Sequence, residues 1–276
     1  MQKMAVRDIN IKGKRVIIRL DFNVPLDESF HITDDRRITA ALPTIQYALS
    51  NGASKVILMS HLGRPKGTGF EKEFSLLPVA RRLQELLKEK VLLLNDCIGL
   101  GVKEAIAKSS ERVILLENLR FHKAEEKNDP AFARELASLA DVYINDAFGT
   151  AHRAHASTAG ITAYLPSVAG FLIEKELLYL GNAINDPKRP LVIILGGAKV
   201  SDKIELIKNL IPKANSILVG GGMAYTFLKA QGINIGNSKL EKDKIDMARD
   251  LMEQAKSECG FCLDDGFRHH PKFQQR

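Results

Sequence analysis

The sequence has no apolar segment long enough to cross a membrane, and no apolar core near its start of the kind found in secretory signals. A membrane-spanning helix needs about 18 consecutive apolar residues. Cysteine is scarce, because Cys97, Cys259 and Cys262 are too few and too unevenly spaced for a disulfide framework. We therefore expect a globular protein of a reducing compartment, the cytoplasm, with no membrane partner.

The sequence also lacks the patterns of a nucleic-acid-binding protein, although its net charge is +7. Much of the lysine lies among acidic residues, as in the segment Glu-Lys-Asp-Lys at 241–244, which is typical of a solvated helix face. Basic residues do not alternate with aromatic ones, and no recognition-helix pattern is present. We therefore expect no nucleic-acid partner.

Short apolar runs rich in Val, Ile and Leu alternate with segments of helical spacing. The predicted strands are 15–20, 55–59, 91–94, 112–116, 142–144, 191–195 and 216–219. The predicted helices are 37–49, 77–87, 102–107, 131–139, 174–183, 202–210, 224–231 and 242–256. This alternation predicts an α/β fold with open parallel sheets.

A length of 276 residues favours about two domains. The pattern changes around 164–190, where we predict a connection that contains one helix. We therefore expect a first domain at 1–165, a linker with a hinge helix at 166–187, and a second, partial domain at 188–256. Residues 257–276 follow neither the helix period nor the strand period, so we interpret them as an aberrant tail, which leaves the second sheet with only two strands.

Polar and cationic residues follow four of the predicted strands of the first domain. These segments are DFNVP at 21–25, SHLGRP at 60–65, ENLRFH at 117–122 and NDAFGTAHRAH at 145–155. The carboxyl ends of parallel strands meet at one edge of a sheet, which is where ligands bind. Arginines that converge there predict a small ligand with carboxylate and phosphate groups. Alternatively, each arginine lies at the surface or pairs with a carboxylate such as Glu117 or Asp146.

Glycine-rich turns follow both predicted strands of the second domain. The first reads GGAKVSDK at 196–203 and enters a helix, with Lys199 and Lys203 one turn apart, and the second is the glycine run at 220–222. The spacing of a Walker A loop is absent. Glycines let the backbone approach a phosphate, and the start of a helix offers free N–H groups. The turns predict the floor of a nucleotide site, or else are ordinary tight turns.

The segments DFNVP, SHLGRP, LLENLRFH, VYINDAFGTAHRAH, GGAKVSDK and VGGGMAYTFLK, in this order, resemble the phosphoglycerate kinase family. The resemblance covers about residues 15–256. It implies two Rossmann-like domains joined by a hinge helix, and reversible phosphoryl transfer between 1,3-bisphosphoglycerate and ADP, which gives 3-phosphoglycerate and ATP. It also implies Mg²⁺ bound with the nucleotide, small-molecule partners only, and a monomer.

The resemblance also assigns residues to the two sites. The implied 3-phosphoglycerate site consists of Asp21, Asn23, Arg37, His61, Arg64, Arg120 and Arg153. The implied nucleotide-binding residues are Gly197, Ala198, Lys199, Lys203, Gly220, Gly221 and Gly222. Arg37, Lys199 and Lys203 are the implied catalytic residues, with Arg37 and Lys199 neutralising the transferred phosphoryl group after hinge closure.

Beyond about Lys256 the sequence departs from the family pattern, and we expect the rest of the family chain to be missing. The alternative function is therefore that of a truncated, inactive fragment that binds 3-phosphoglycerate at most. The tail also contains Cys259-x-x-Cys262 followed by His269 and His270, which are zinc-ligand types. The loop between these pairs is short for a zinc knuckle, so we expect no metal site.

Overall fold

The computed structural model describes residues 4–263. The chain divides into two compact units between Leu178 and Tyr179. Within residues 4–263, no helix combines the length and apolar character that a membrane span requires. The division lies inside the helix predicted as a hinge, and the hinge role and the predicted domain boundaries stay predictions.

The first unit is built on a six-stranded parallel sheet. Its strands are β1 (Arg15–Arg19), β2 (Lys55–Met59), β3 (Val91–Leu93), β4 (Val113–Leu115), β5 (Val142–Asn145) and β6 (Ser167–Ala169). Their order across the sheet is β3-β4-β2-β1-β5-β6, and every neighbouring pair is parallel. The helices are α1 (Arg36–Ser50), α2 (Leu77–Leu87), α3 (Leu100–Lys108), α4 (Lys123–Glu126), α5 (Pro130–Ala137), α6 (Phe148–Ala151) and α7 (Phe171–Asn185). The parallel sheet confirms the predicted fold class.

The central strands of this sheet are buried on both faces, which explains why their sequences are almost entirely apolar. In β1, Val16 and Ile18 pack into a core with residues of α1 and α2, whereas Ile17 points into a second core with residues of α3 and α5. Successive side chains of a strand point to opposite faces of the sheet, so β1 packs against the helix layers on both sides. Each fully buried Val or Ile side chain stabilises the fold by about 1.5–3 kcal/mol.

The second unit contains a three-stranded parallel sheet in the order β7-β8-β9. The strands are β7 (Val192–Gly196), β8 (Ser216–Gly220) and β9 (Gly260–Leu263), and the helices are α8 (Ile204–Leu210), α9 (Ala224–Ala230) and α10 (Ile245–Glu258). Ile217 and Val219 of β8 are buried against Ile207, Phe227 and Leu251 of the three helices. One face of the sheet therefore holds this core.

Strand β9 corrects the interpretation of the residues that follow Lys256. Helix α10 continues to Glu258, and Gly260–Leu263 pairs in register with β8. The expectation of two strands was therefore wrong, because Gly260–Leu263 lacks the run of Val, Ile and Leu residues from which the other strands are predicted. Strand β6 was missed for the same reason, and it lies within the segment predicted as a linker. His269 and His270 of the considered zinc knuckle lie outside the described residues.

Candidate active site

The loops after β1 and β2 are joined at the carboxyl edge of the first sheet. The side-chain oxygen of Asn23 accepts a hydrogen bond from the backbone N–H of Gly63 at 2.8 Å, and Asp21 accepts one from the N–H of Asn23 at 3.2 Å. Gly63 has φ +61°, and a Cβ atom there would lie 2.4 Å from the ring of Phe74. The second loop therefore requires glycine to reach this position.

Arg37 is held at the same edge by Asp21. It is the second residue of α1, and its guanidinium donates a hydrogen bond to the Asp21 carboxylate. The side chain of Arg37 is 51% exposed and that of Asp21 is 15% exposed. The structure thus brings a strand-end carboxylate and a helix-start arginine together, and leaves half of the arginine open to solvent.

His61 is buried at this edge and is neutral. Its Nδ1 lies 3.3 Å from a terminal nitrogen of Arg19, and a guanidinium only donates hydrogen bonds. Nδ1 must therefore accept, which places the ring proton on Nε2. Burial lowers the pKa of His61 to about 2, and the nearby cations Arg19, Arg120 and Arg153 add to the effect. His61 therefore offers a hydrogen-bond donor but no charge.

Arg120 is almost fully buried, with 7% of its side chain exposed. It donates to the carbonyl oxygen of Gly63 at 2.9 Å, and its Nε lies 3.2 Å from Glu126. The carboxylates considered as alternative partners are engaged elsewhere. Glu117 accepts from the N–H of Leu76 at 2.8 Å, and Asp146 accepts from the start of α7.

Arg64 and Arg153 are both exposed at the ends of the loops after β2 and β5. Within residues 4–263, neither side chain has a hydrogen bond or an ion pair. Burial lowers the pKa of His61 and Arg120, and the charge of Arg153 lowers both further. The guanidinium of Arg153 therefore lies near these two residues. Arg64 follows strand β2 at the same sheet edge, and arginines without counter-charges at one edge suit an anion.

Beneath this edge lies a buried charge pair that the sequence analysis missed. The Nε of Arg19 donates to the hydroxyl of Ser157 at 2.9 Å, and that hydroxyl donates to Glu125 at 2.5 Å. Glu125 also accepts from the N–H of Ser157 at 2.9 Å and lies 3.7 Å from Nδ1 of His155. Arg19 is 1% exposed and Glu125 is fully buried. An arginine inside an apolar strand was a signal in the sequence, because such a residue is buried only with a partner.

Asp146 was considered as a partner of the arginines, but it caps the helix that leaves the first unit. Its Oδ1 accepts from the N–H groups of Leu172 at 2.8 Å and Ile173 at 3.3 Å, in the first turn of α7. A Cβ atom at Gly170 would lie 2.4 Å from this oxygen. Burial raises the pKa of Asp146, and these hydrogen bonds oppose the rise.

The two glycine-rich turns of the second unit lie directly against each other, as predicted. Gly196 and Gly220 are partners at the ends of β7 and β8. Gly221 has φ +70°, and a Cβ atom there would lie 3.1 Å from both the nitrogen and the oxygen of Gly197. At Gly222 it would lie 3.2 Å from the oxygen of Ala198. Side chains at these positions would therefore separate the turns.

The start of the following helix differs from the expectation of free N–H groups. Glu241 accepts from the N–H groups of Val200 at 2.5 Å and Ser201 at 3.1 Å, and from the Ser201 hydroxyl at 2.6 Å. Glu241 is distant in sequence, so local patterns could not reveal this cap. Lys199 is exposed and Lys203 is half-buried. The cap fixes the segment from which both lysines project.

The fold and these sites define an α/β protein with Rossmann-like parallel sheets, the class in which ligands bind beyond the carboxyl ends of the strands. A sequence model described as phosphoglycerate kinase matches residues 6–275. The chain belongs to the phosphoglycerate kinase family, which confirms the resemblance drawn from its motifs. The match continues past Lys256, so the expected departure from the family pattern after that residue was wrong.

Individual relatives support this assignment. The chain is 60% identical over 260 residues to phosphoglycerate kinase of Anaeromyxobacter sp., covering 93% of this chain and 65% of that protein. It is 60% identical over 254 residues to that of Dictyoglomus turgidum, covering 92% of this chain and 63% of the relative. The chain thus spans somewhat less than two thirds of their length.

The solved structure of phosphoglycerate kinase from Coxiella burnetii has a TM-score of 0.82 with this chain at 44% identity, covering 95% of this chain and 66% of that one. The structure from Pyrococcus horikoshii has a TM-score of 0.76 at 30% identity, with coverages of 94% and 67%. The likeness extends over nearly all of this chain.

Proposed function

We propose that this chain acts in reversible phosphoryl transfer between 1,3-bisphosphoglycerate and ADP, which gives 3-phosphoglycerate and ATP. Membership of the phosphoglycerate kinase family supports the reaction. We further propose that the protein is a cytoplasmic monomer whose partners are these small molecules, without nucleic acid or membrane.

The observation that carries the proposal is the cationic edge of the first sheet. Arg64 and Arg153 are exposed and have no ion pair among residues 4–263, while Arg37 is half exposed beside Asp21. Such guanidinium groups suit the carboxylate and phosphate oxygens of 3-phosphoglycerate, which they bind in pairs. The remaining proposed ligands are Asp21, Asn23, His61 and Arg120.

The chemistry requires no general base in this site. The carboxylate of 3-phosphoglycerate is already ionised at neutral pH, so catalysis reduces to positioning and to stabilisation of charge. His61, with a pKa of about 2, is too weak a base to accept a proton there. It suits the role of a neutral donor to a substrate oxygen, and Arg37 is the proposed catalytic contact to the acyl phosphate.

In the second unit we propose that Gly197, Ala198 and the glycines at 220–222 line the nucleotide. A Cβ atom at Gly221 or Gly222 would press on Gly197 or Ala198, so glycine keeps the two turns together. Gly197, Ala198 and Gly221 are exposed, which supports a backbone that a ligand can approach. Lys199 and Lys203 are the proposed catalytic contacts to the nucleotide phosphates. Mg²⁺ enters with ATP or ADP as part of the substrate complex.

Calorimetric titration with 3-phosphoglycerate tests the proposed first site. Arg64→Gln and Arg153→Gln are each expected to weaken binding by about 10-fold or more, since a hydrogen bond to a charged group contributes about 1.5–3 kcal/mol. Arg81→Gln is the matched control, because this arginine is exposed on α2 and has no ion pair among the described residues. Unchanged affinity in both site variants would contradict the assignment.

A coupled assay with 3-phosphoglycerate and Mg-ATP tests the reaction itself. Turnover by the 276-residue chain that is lost in Lys199→Ala supports the proposed activity. Binding of 3-phosphoglycerate without turnover would limit this chain to metabolite binding, the alternative raised by its sequence.

A further inference from the structure

Three metal-ligand side chains lie together beside, but outside, the proposed substrate-binding set. Asp96 and Cys97 follow β3, and His122 follows the short helix Leu119–Phe121 after β4. Strands β3 and β4 are neighbours at one side of the sheet, so their carboxyl ends bring the three residues together. One oxygen, one sulfur and one nitrogen ligand are thus collected from two separate loops.

The spacing of these atoms is close to that of a metal site. One ligand atom of each residue lies within 4.8 Å of the other two. Bonds of about 2.0–2.3 Å in a tetrahedral site would place neighbouring ligand atoms roughly 3.3–3.8 Å apart. A small rotation of the more exposed side chains closes the difference, since Asp96 is 50% exposed and His122 is 30% exposed.

The surroundings already orient these side chains. Oδ1 of Asp96 lies 2.7 Å from Nε2 of His122 and accepts from the backbone N–H of Cys97 at 2.6 Å. The ring of His122 packs against the ring of Phe132, with the ring centroids 5.3 Å apart. Cys97 is fully buried, so its sulfur approaches from the protein side, whereas Asp96 faces solvent. The arrangement leaves the solvent side open for a water as fourth ligand.

We propose that Asp96, Cys97 and His122 form a binding site for Zn²⁺ or a similar divalent transition metal. A thiolate and an imidazole select such metals over Mg²⁺ and Ca²⁺, which prefer oxygen. Binding replaces the thiol hydrogen, so that a metal–sulfur bond forms and one proton leaves to solvent. The Nε2 proton that His122 donates to Asp96 moves to Nδ1 by exchange with solvent, so that Nε2 and the Asp96 carboxylate each form a bond to the metal in place of their hydrogen bond.

A metal at this site would tie the loop after β3 to the loop that contains Arg120. Arg120 lies within the short helix Leu119–Phe121, and His122 caps the end of this helix, where its backbone N–H donates to the carbonyl oxygen of Leu119. The metal therefore fixes the backbone that positions a proposed substrate ligand. This consequence rests on the proposed function, whereas metal binding itself is measured without any substrate and is tested separately.

Cobalt titration of the full chain provides the test. Because Cys259 and Cys262 are also thiols, the titration uses the background Cys259→Ser/Cys262→Ser. The expected result is one Co²⁺ per chain with near-ultraviolet thiolate-to-cobalt absorption, which Zn²⁺ displaces. Cys97→Ser in this background should abolish the absorption, and His122→Gln and Asp96→Asn should each weaken Co²⁺ binding by at least about 10-fold.

Two results would overturn the proposal. One is the absence of thiolate-to-cobalt absorption in the background protein, since any binding by the unmodified chain would then belong to Cys259 and Cys262. The other is unchanged affinity in both His122→Gln and Asp96→Asn. These two residues are partly exposed, so their variants keep the test decisive if Cys97→Ser does not fold, as judged by circular dichroism.

Discussion

Replacement of Glu125 by glutamine tests the role of the buried charge pair beneath the substrate edge. Glutamine has nearly the same shape but no charge, and its amide group would face the N–H of Ser157 as a second donor. Arg19, which is 1% exposed, would then have no buried counter-charge bridged to it by Ser157. The substitution therefore removes the charge of one carboxylate together with one of its two acceptor oxygens.

The expected loss in unfolding free energy is large. Removal of one partner from a buried pair costs about 3–5 kcal/mol, because the remaining charge stays desolvated. With an m-value of about 2–3 kcal/mol per molar urea, the unfolding midpoint should fall by roughly 1–2 M. The transition is followed by far-ultraviolet circular dichroism, since the sequence contains no tryptophan.

The same pair gives a pH signature. Burial alone would raise the pKa of Glu125, but His155, Arg19 and Ser157 together lower it below its ordinary value of 4.5. A carboxyl group whose pKa is lower in the folded than in the unfolded protein stabilises the fold. This stabilisation is complete above the pKa of the unfolded protein and is lost as the pH falls through the pKa of the folded protein. The difference between wild type and Glu125→Gln should therefore be full at neutral pH and shrink under acid conditions below about pH 4.5.

Glu104→Gln is the matched control. Glu104 is 52% exposed and pairs with Lys108 at 2.8 Å on the surface of α3. The same substitution there should change the unfolding free energy by less than about 1 kcal/mol. If Glu125→Gln and Glu104→Gln shift the midpoint equally, Glu125 is not the counter-charge of Arg19 and the reasoning fails.

Two further predictions concern glycines at which a Cβ atom would be crowded, each with a control glycine in open space. Gly170→Ala should lower the unfolding free energy by about 1–3 kcal/mol, because its Cβ atom would press on Asp146. Gly181→Ala, in an open helical position, should instead stabilise by up to about 1 kcal/mol, and equal urea midpoints would refute the clash. Gly221→Ala should destabilise the second unit and weaken ATP binding in calorimetry. Gly236→Ala is the control, because Gly236 also has a positive φ but a Cβ atom there would meet no neighbouring atom. If the two variants bind ATP with equal affinity, the turn at Gly221 has no role in the nucleotide site.

The regular elements were predictable because each central strand is a continuous apolar run. Val16, Ile17 and Ile18 are all fully buried, so their sequence shows the parallel sheet directly. Strands β6 and β9 were not predictable, because Ser167–Ala169 and Gly260–Leu263 lack the Val, Ile and Leu runs that reveal even the three-residue strands β3 and β4. Pairing with a longer neighbour, rather than local sequence, forms these strands.

The sequence also predicted which residues reach the sheet edges, because position after a strand determines the edge. It did not reveal what holds them there. The partners of Arg19 are distant in sequence, since Glu125 lies in α4 and Ser157 in a later loop. Glu241, which caps the segment after β7, is also distant from that segment. Such contacts depend on the tertiary structure. The neutral state of His61 likewise depends on burial that no motif displays.

The bridged charges of Arg19, Ser157 and Glu125 also restrict how this protein can change through mutation. Arg19 and Glu125 are distant in sequence, yet replacement of either one alone leaves the other charge buried without this counter-charge. An apolar replacement becomes acceptable only when both charges change together. Neutral drift at these positions therefore requires paired substitutions, and the pair should persist or disappear as a unit along a lineage.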